Sequence, residues 1–254
     1  MKNFFFVFLI FSLLFSCSQN KNIIYLSDIN ERSLDKIDSY FKDNIEIGDI
    51  LKIDINSAIP EVSVPYNNLS PSSIDSDINS VIINGYLVDV DSSINIPVLG
   101  KIKVVGNTEG QLAFSIKKLL DQGKHLSNPY VKVKKVNSKF TVLGEVKNPG
   151  TFSFYDNKLN IFQALGFAGD LLITAKKNNV KLLREENGLR KTYTFSLNNT
   201  ELLDKPYYYI KSNDVIIIDP NFSKIKSAGF IGSPASIASI SQIVLSITLL
   251  LINR

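Results

Sequence analysis

The sequence predicts an α+β chain. A small mixed unit comes first, then a second unit in which one helix lies across several strands, then a single apolar helix that closes the chain. Three observations carry this. Short runs of alternating apolar residues recur between residues 50 and 218, the period-2 pattern of half-buried strands. Two stretches in between have helical spacing, and each opens on a capping box, Thr108 with Gln111 and Asn160 with Gln163. Finally, residues 227–253 hold no charged side chain, and Leu, Ile and Val dominate their second half.

The chain opens on Lys2, an apolar run from Phe4 to Phe15 and then Ser16-Cys17. A basic start, an apolar core too short to span a bilayer and a small residue make residues 1–16 a secretory signal. Leu14-Phe15-Ser16-Cys17 resembles a bacterial lipobox, in which the Cys is lipidated and becomes the mature N-terminus. The competing reading is an ordinary cleaved signal with an incidental Cys. Residues 17–44 are polar with scattered Leu and Ile, and read as a lipid-anchored tether with a short helix around 34–41.

Composition removes several kinds of chemistry. Cys17 is the only cysteine, so acylation would leave no thiol for a disulfide or a thiolate metal site. His125 is the only histidine and precedes a loop, which leaves His-based zinc sites and Ser-His or Cys-His catalysis without material. No cofactor, no metal and no catalytic residue is expected. The 28 basic and 24 acidic side chains give a net charge of +4 but are interspersed, so no broad basic face for nucleic acid is formed. No nucleotide-binding loop of the form G-x-x-x-x-G-K-[ST] is present. The close carboxylate pairs a glycan hydrolase would need are Asp75 with Asp77, Asp89 with Asp91 and Glu185 with Glu186. All fall in loops or at strand edges, where solvated charge is the simpler reading.

The first unit, residues 45–137, starts at Ile47-Gly48-Asp49-Ile50, after which Leu51, Ile53 and Ile55 alternate as in a strand. Residues 57–80 are rich in Ser, Pro and Asn and read as a long exposed loop. Strand signals return at Tyr86-Leu87-Val88 and across residues 94–104. The helix opened by Thr108 runs to about Gln122, with Leu112, Ile116, Leu119 and Leu120 on one face and Gly123 as its C-cap. Another strand follows Asn128-Pro129.

The second unit, residues 138–221, follows without a linker. Phe140 to Val146 is a strand, and Lys147-Asn148-Pro149-Gly150 puts Pro and Gly where a type II turn wants them. The helix capped by Asn160 carries Ile161, Phe162, Leu165 and Phe167 and stops at Gly169. Strand-like runs follow at 179–184, 192–196, 207–210 and 215–218. Several strands with one helix across them suggest a β-grasp-like sheet.

Ser233 followed by Pro234 signals the start of the closing helix, within the segment 227–254. From 234 to 252 it would span ~28 Å, close to the ~30 Å thickness of a bilayer core. Ser236, Ser239, Gln242, Ser246 and Asn253 fall on one side of it, interrupted by Ile243 and Leu250. Two readings stand. The stripe faces water inside a ring of such helices, or the helix is a lone anchor whose hydroxyls bond back to its own carbonyls.

Several of these motifs are similar to those of a known family. Ile47-Gly48-Asp49-Ile50-Leu51, Ile96-Pro97-Val98-Leu99-Gly100 and Asn128-Pro129-Tyr130-Val131 resemble, in order and spacing, the periplasmic export domain of outer-membrane polysaccharide export proteins. The run from Val142 to Phe152, with Gly144, Glu145, Pro149 and Gly150, is similar to the opening of the soluble-ligand-binding β-grasp domain of that family. Ala164-Leu165-Gly166-Phe167-Ala168-Gly169-Asp170 looks like its helix end, where the family usually has a second Gly at the position of Asp170. The resemblance implies a lipoprotein of the bacterial outer membrane with its domains in the periplasm. It implies a homo-oligomeric ring, octamer-like, whose terminal helices surround a passage for capsular or extracellular polysaccharide, lined here by Ser236, Ser239, Gln242 and Ser246. An inner-membrane polysaccharide copolymerase is the implied partner. The best-known members carry two β-grasp domains, and this chain has room for one. The alternative is a lipid-anchored periplasmic adaptor that holds a glycan or a partner, with a simple anchor at its end.

Overall fold

The computed structural model describes residues 24–29, 43–67, 82–156, 158–186, 188–221, 238–239, 241–243 and 246. The expected signal 1–16, Cys17 and the short helix at 34–41 lie outside them.

The first set of elements is organised by β1 (Ile50–Asn56), whose Leu51, Ile53 and Ile55 face inward as the alternation predicts. A short helix α1 (Pro60–Ser63) and a 3-10 turn (Val64–Tyr66) follow, where the sequence suggested only loop. Tyr66 is the reason: it is buried, and Asn67 holds the turn on β1 by accepting from the Ile55 amide at 2.9 Å. β1 pairs antiparallel with β2 (Tyr86–Leu87) and β5 (Tyr130–Lys135) in the order β2-β1-β5. The run at 94–104 is a hairpin of β3 (Ser93–Ile96) and β4 (Gly100–Lys103), because Val98 and Gly100 both take positive φ and reverse the chain after Pro97.

Helix α2 (Glu109–Gln122) has the predicted capping box, with Thr108 Oγ1 accepting from the Gln111 amide and Gln111 Oε1 from the Thr108 amide. Leu112, Ile116 and Leu120 are buried, but Leu119 is exposed, so the apolar stripe is narrower than the sequence suggested. Gly123 caps the helix at a negative φ, and Lys124 takes the left-handed position. His125 is not simply solvated: its ring stands edge-on to Tyr66, with Nδ1 3.3 Å from the phenol oxygen.

The second set is a five-stranded sheet of β6 (Lys139–Gly144), β7 (Gly150–Ser153), β8 (Ala175–Glu186), β9 (Leu189–Phe195) and β10 (Val215–Pro220). Its order is β7-β6-β10-β8-β9. β10 lies parallel to β6 in the middle and antiparallel to β8, and two hairpins flank it. With α3 (Ile161–Phe167) packed on one face, this is a β-grasp-like arrangement. Residues 207–210 are not a strand. Only Tyr209 makes a bridge, to Asn160, after a 3-10 turn at Thr200–Asp204.

The β6–β7 turn also differs from expectation. Gly150 opens β7 opposite Val142, and Gly144 takes the positive φ, +96°. A Cβ at Gly144 would lie 2.0 Å from the Ile218 carbonyl oxygen, so the close parallel pairing of β6 and β10 requires glycine there. The described residues form two hydrophobic clusters, one from Ile45 to Val133 and one from Phe140 to Ile218. Residues 24–29, expected as tether, dock on the second. The Leu26 and Ser27 amides donate to the Leu197 and Asn198 carbonyls, and the Asp28 carboxylate accepts from the Thr200 amide and hydroxyl.

Candidate functional site

Where the two sets of elements meet, residues from both line a cleft of about 390 Å³. One wall is the 46–49 turn that leads into β1. Gly48 takes φ +86° and its amide donates to the Val88 carbonyl. Asp49 is buried, and its Oδ2 accepts from the Glu46 amide at 2.8 Å and lies 3.1 Å from Lys135 Nζ. Asn137, in the connection from β5 to β6, stitches the turn in place: Nδ2 donates to the Gly48 carbonyl and Oδ1 accepts from the Ile50 amide.

The other wall is the edge of the β-grasp-like sheet. Lys139 and Ser153 stand opposite each other at the start of the β6–β7 pair, on the face away from the core. Ser212 and Asn213 form the turn before β10, where Asn213 takes φ +67° and its amide donates to the Lys139 carbonyl at 2.7 Å.

A buried ion set anchors each wall. Behind the first, Lys135 is 5% exposed and its Nζ sits 3.0 Å from Asp43 and 3.1 Å from Asp49. Burial works against the ammonium, but the two carboxylates outweigh it and hold its pKa above the usual range. Burial also pushes the Asp49 carboxyl up against the pull of Lys135, and burial with the Asp49 charge pushes Glu46 up. Behind the second wall, the 3%-exposed Arg184 guanidinium forks onto the fully buried Asp214, Nε to Oδ1 at 2.9 Å and Nη2 to Oδ2 at 2.6 Å. Nη2 also donates to the Tyr209 carbonyl, while the Lys211 amide donates to Asp214. Burial raises the Asp214 pKa against the pull of Arg184. Lys211 donates to Glu186 and, with Lys191, holds that carboxyl down at about 2.

The structure brings together some of the residues singled out by sequence and not others. Gly48 and Asp49 line the cleft. Pro97 and Gly100 shape the β3–β4 hairpin, and Pro129 precedes β5, both away from it. Glu145, Pro149, Gly150 and Gly169 belong to a separate junction, where the Lys147 and Asn148 amides donate to the Asp170 and Ala168 carbonyls beyond α3. Asp170 itself takes φ +74°, the conformation in which glycine costs nothing. Its carboxylate accepts from the Tyr25 hydroxyl and the Leu171 amide. Asp91 bonds Ser93 and Lys101, Glu185 pairs with Arg190 and Glu186 with Lys191 and Lys211, while Asp75 and Asp77 lie outside the described residues. Among the described residues no cluster of His, Cys, Asp and Glu could hold a metal ion.

Of the expected polar stripe, Ser236 and most of the closing segment fall outside the described residues. Ser239, Gln242 and Ser246 are helical and exposed, and Ser246 Oγ donates to the Gln242 and Ile243 carbonyls of its own helix. Among the described residues no helix is long and apolar enough to cross a membrane.

With this geometry in hand, comparison with known proteins shows what the chain is similar to. Residues 41–135, which carry β1 to β5 and the 46–49 wall, match the polysaccharide biosynthesis/export protein family. The EPS I polysaccharide export outer membrane protein of Ralstonia solanacearum is 25% identical over 159 residues, 61% of this chain and 41% of that protein. Its counterpart from Ralstonia nicotianae is 26% identical over 160 residues, with the same coverage. The likeness is therefore longer than the family match, and the chain spans about two fifths of the length of the curated relatives it matches.

Proposed function

We propose that this chain is an outer-membrane component of polysaccharide export and acts as a passive conduit, not as an enzyme. The observation that carries the reading is the match of residues 41–135 to the polysaccharide biosynthesis/export family, supported by relatives named EPS I polysaccharide export outer membrane proteins. In this reading Cys17 carries the lipid, units 45–137 and 138–221 stand in the periplasm, and copies of the closing segment 227–254 line a hydrated passage with Ser236, Ser239, Gln242 and Ser246. An inner-membrane copolymerase supplies the polymer and the energy. Weak, numerous hydroxyl and amide contacts suit transit, since tight binding at one point would stall a moving chain.

Deleting the gene tests this. Surface polysaccharide should fall sharply and return when the intact chain is supplied, while unchanged surface polysaccharide would remove the reading. One observation favours the second reading, a lipid-anchored adaptor. The Ser246 hydroxyl bonds back to its own helix, as in a simple anchor. Replacing Ser239 and Gln242 by Leu separates the two, since a conduit should export less polymer and an anchor should not.

A further inference from the structure

Five polar side chains converge on the cleft without a hydrogen bond to any described residue: Glu46, Lys139, Ser153, Ser212 and Asn213. They come from two turns and two strands, so neighbourhood in sequence does not explain their meeting. Their chemistry is mixed and almost balanced. They supply one carboxylate, one ammonium, two hydroxyls and one amide, while the nearby Asp49 carboxylate is engaged by Lys135. One ammonium in a lining that also carries a carboxylate is a poor anion site, and the metal-ligand set is missing among the described residues. Between the polar groups, Ile47, Ile82 and Val136 supply aliphatic patches. Alternating donors, acceptors and small apolar surfaces match the two characters of a sugar ring, its hydroxyl rim and its C–H faces. The volume, about 390 Å³, lies within the roughly 300–1,000 Å³ of small-ligand sites.

The surroundings add a direction. Lys139 and Ser153 are the first rung of the open face of the sheet, and the next is Thr141 with Thr151, whose hydroxyls lie 3.0 Å apart. Through Val215 and Leu183 that rung continues to Thr192 on β9. Hydroxyls thus leave the cleft along the β6–β7 pair, and two aliphatic side chains separate them from Thr192. Both walls are fixed by buried ion sets, so the free groups are held apart before any ligand arrives.

We propose that this cleft is a saccharide site, taking a short stretch of neutral hexose polymer along the Glu46–Lys139–Asn213 opening. The proposal deepens the export reading and rests on it only for the source of the ligand. The test uses the full chain in mild detergent, with maltohexaose, cellohexaose and chitohexaose as probes and saturation-transfer NMR as the readout. At least one hexamer should bind, weakly, and Ser212→Ala with Asn213→Gly should weaken it at least about fivefold. Glycine keeps the φ of +67° and neither side chain is bonded in the fold, so that variant should unfold at the parental temperature. Absence of binding to all three hexamers, or binding unchanged in the variant, overturns the proposal. So does sodium sulfate binding that displaces the sugar and vanishes in Lys139→Gln, which would make the cleft an anion site. A deletion strain that loses surface polysaccharide while the purified chain binds no hexamer would leave the export reading standing and remove this one.

Discussion

The two sheets bury a cation in the same way and then treat it differently. In β5 the inward positions run Val131, Val133, Lys135; in β8 they run Val180, Leu182, Arg184. Each series ends by turning a charge into the core. Lys135 is a point charge between two separate carboxylates, and Asp43 keeps a quarter of its side chain in water. Arg184 is a planar fork on a carboxylate with no exposure at all, closed by a backbone carbonyl, with Glu186 at 3.9 Å from its other nitrogen. The first arrangement can relax if it loses a partner, and the second cannot. A compact ammonium tolerates a partly wet site, while a fully dry carboxylate needs bidentate pairing to remain charged.

That contrast sets the largest expected effect. Arg184→Leu strands Asp214 and should cost about 3–5 kcal/mol. Lys135→Leu leaves two carboxylates that are not fully dry, Asp43 with 26% and Asp49 with 8% of the side chain exposed, and should cost only about 1–3 kcal/mol. Urea unfolding at neutral pH measures both, and equal losses would erase the distinction. Glycines sharpen it next. Gly144→Ala meets the Ile218 backbone and should cost about 2–3 kcal/mol. Gly100→Ala meets nothing within 4 Å, so only its φ of +74° is penalised, about 1 kcal/mol.

Acid separates the regions by sign. The Glu186 carboxyl is held below its ordinary value in the fold, so it adds stability above about 4.5 that is lost as pH falls toward about 2. The wild-type advantage over Glu186→Gln should shrink by about 1–2 kcal/mol across that window. Glu46 is shifted the other way, so its ionised form works against the fold and stability is gained as pH falls through its raised value. Its Gln variant should therefore show the opposite slope, and parallel curves for the two variants would contradict the assignment. The smallest effects come from the caps. Asn160→Ala should lose about 1 kcal/mol, and Thr108→Ala somewhat less, because its bond to the N3 amide is 3.3 Å against 2.9 Å. Chemical denaturation resolves both.

How much of this the sequence revealed follows from which signals are local. Both capping boxes, the inward alternation of β1 and the helix across the strands depend on neighbours within a few residues, and they were readable. Lys135 and Arg184 were half readable. Their parity with Val133 and Leu182 put them on the core face, but nothing local named Asp49 or Asp214 as partners. Gly144 was singled out through family likeness within a strand, but the reason for it was not readable, because its constraint is the Ile218 backbone, more than seventy positions away. Residues 24–29 read as tether because Tyr25 and Asp28 find their partners at Asp170 and Thr200, across the whole intervening fold. The cleft was invisible for the same reason. Glu46, Lys139 and Asn213 are unremarkable polar residues until two sheets bring them together. Only Gly48 and Asp49 drew notice there, and through family likeness, not through anything that spacing revealed.

The central claim is that copies of this chain assemble into a conduit for polysaccharide across the outer membrane. Native mass measured on the detergent-extracted complex tests it most directly. A closed assembly of many identical subunits is the result the account predicts, and a lone subunit would contradict it.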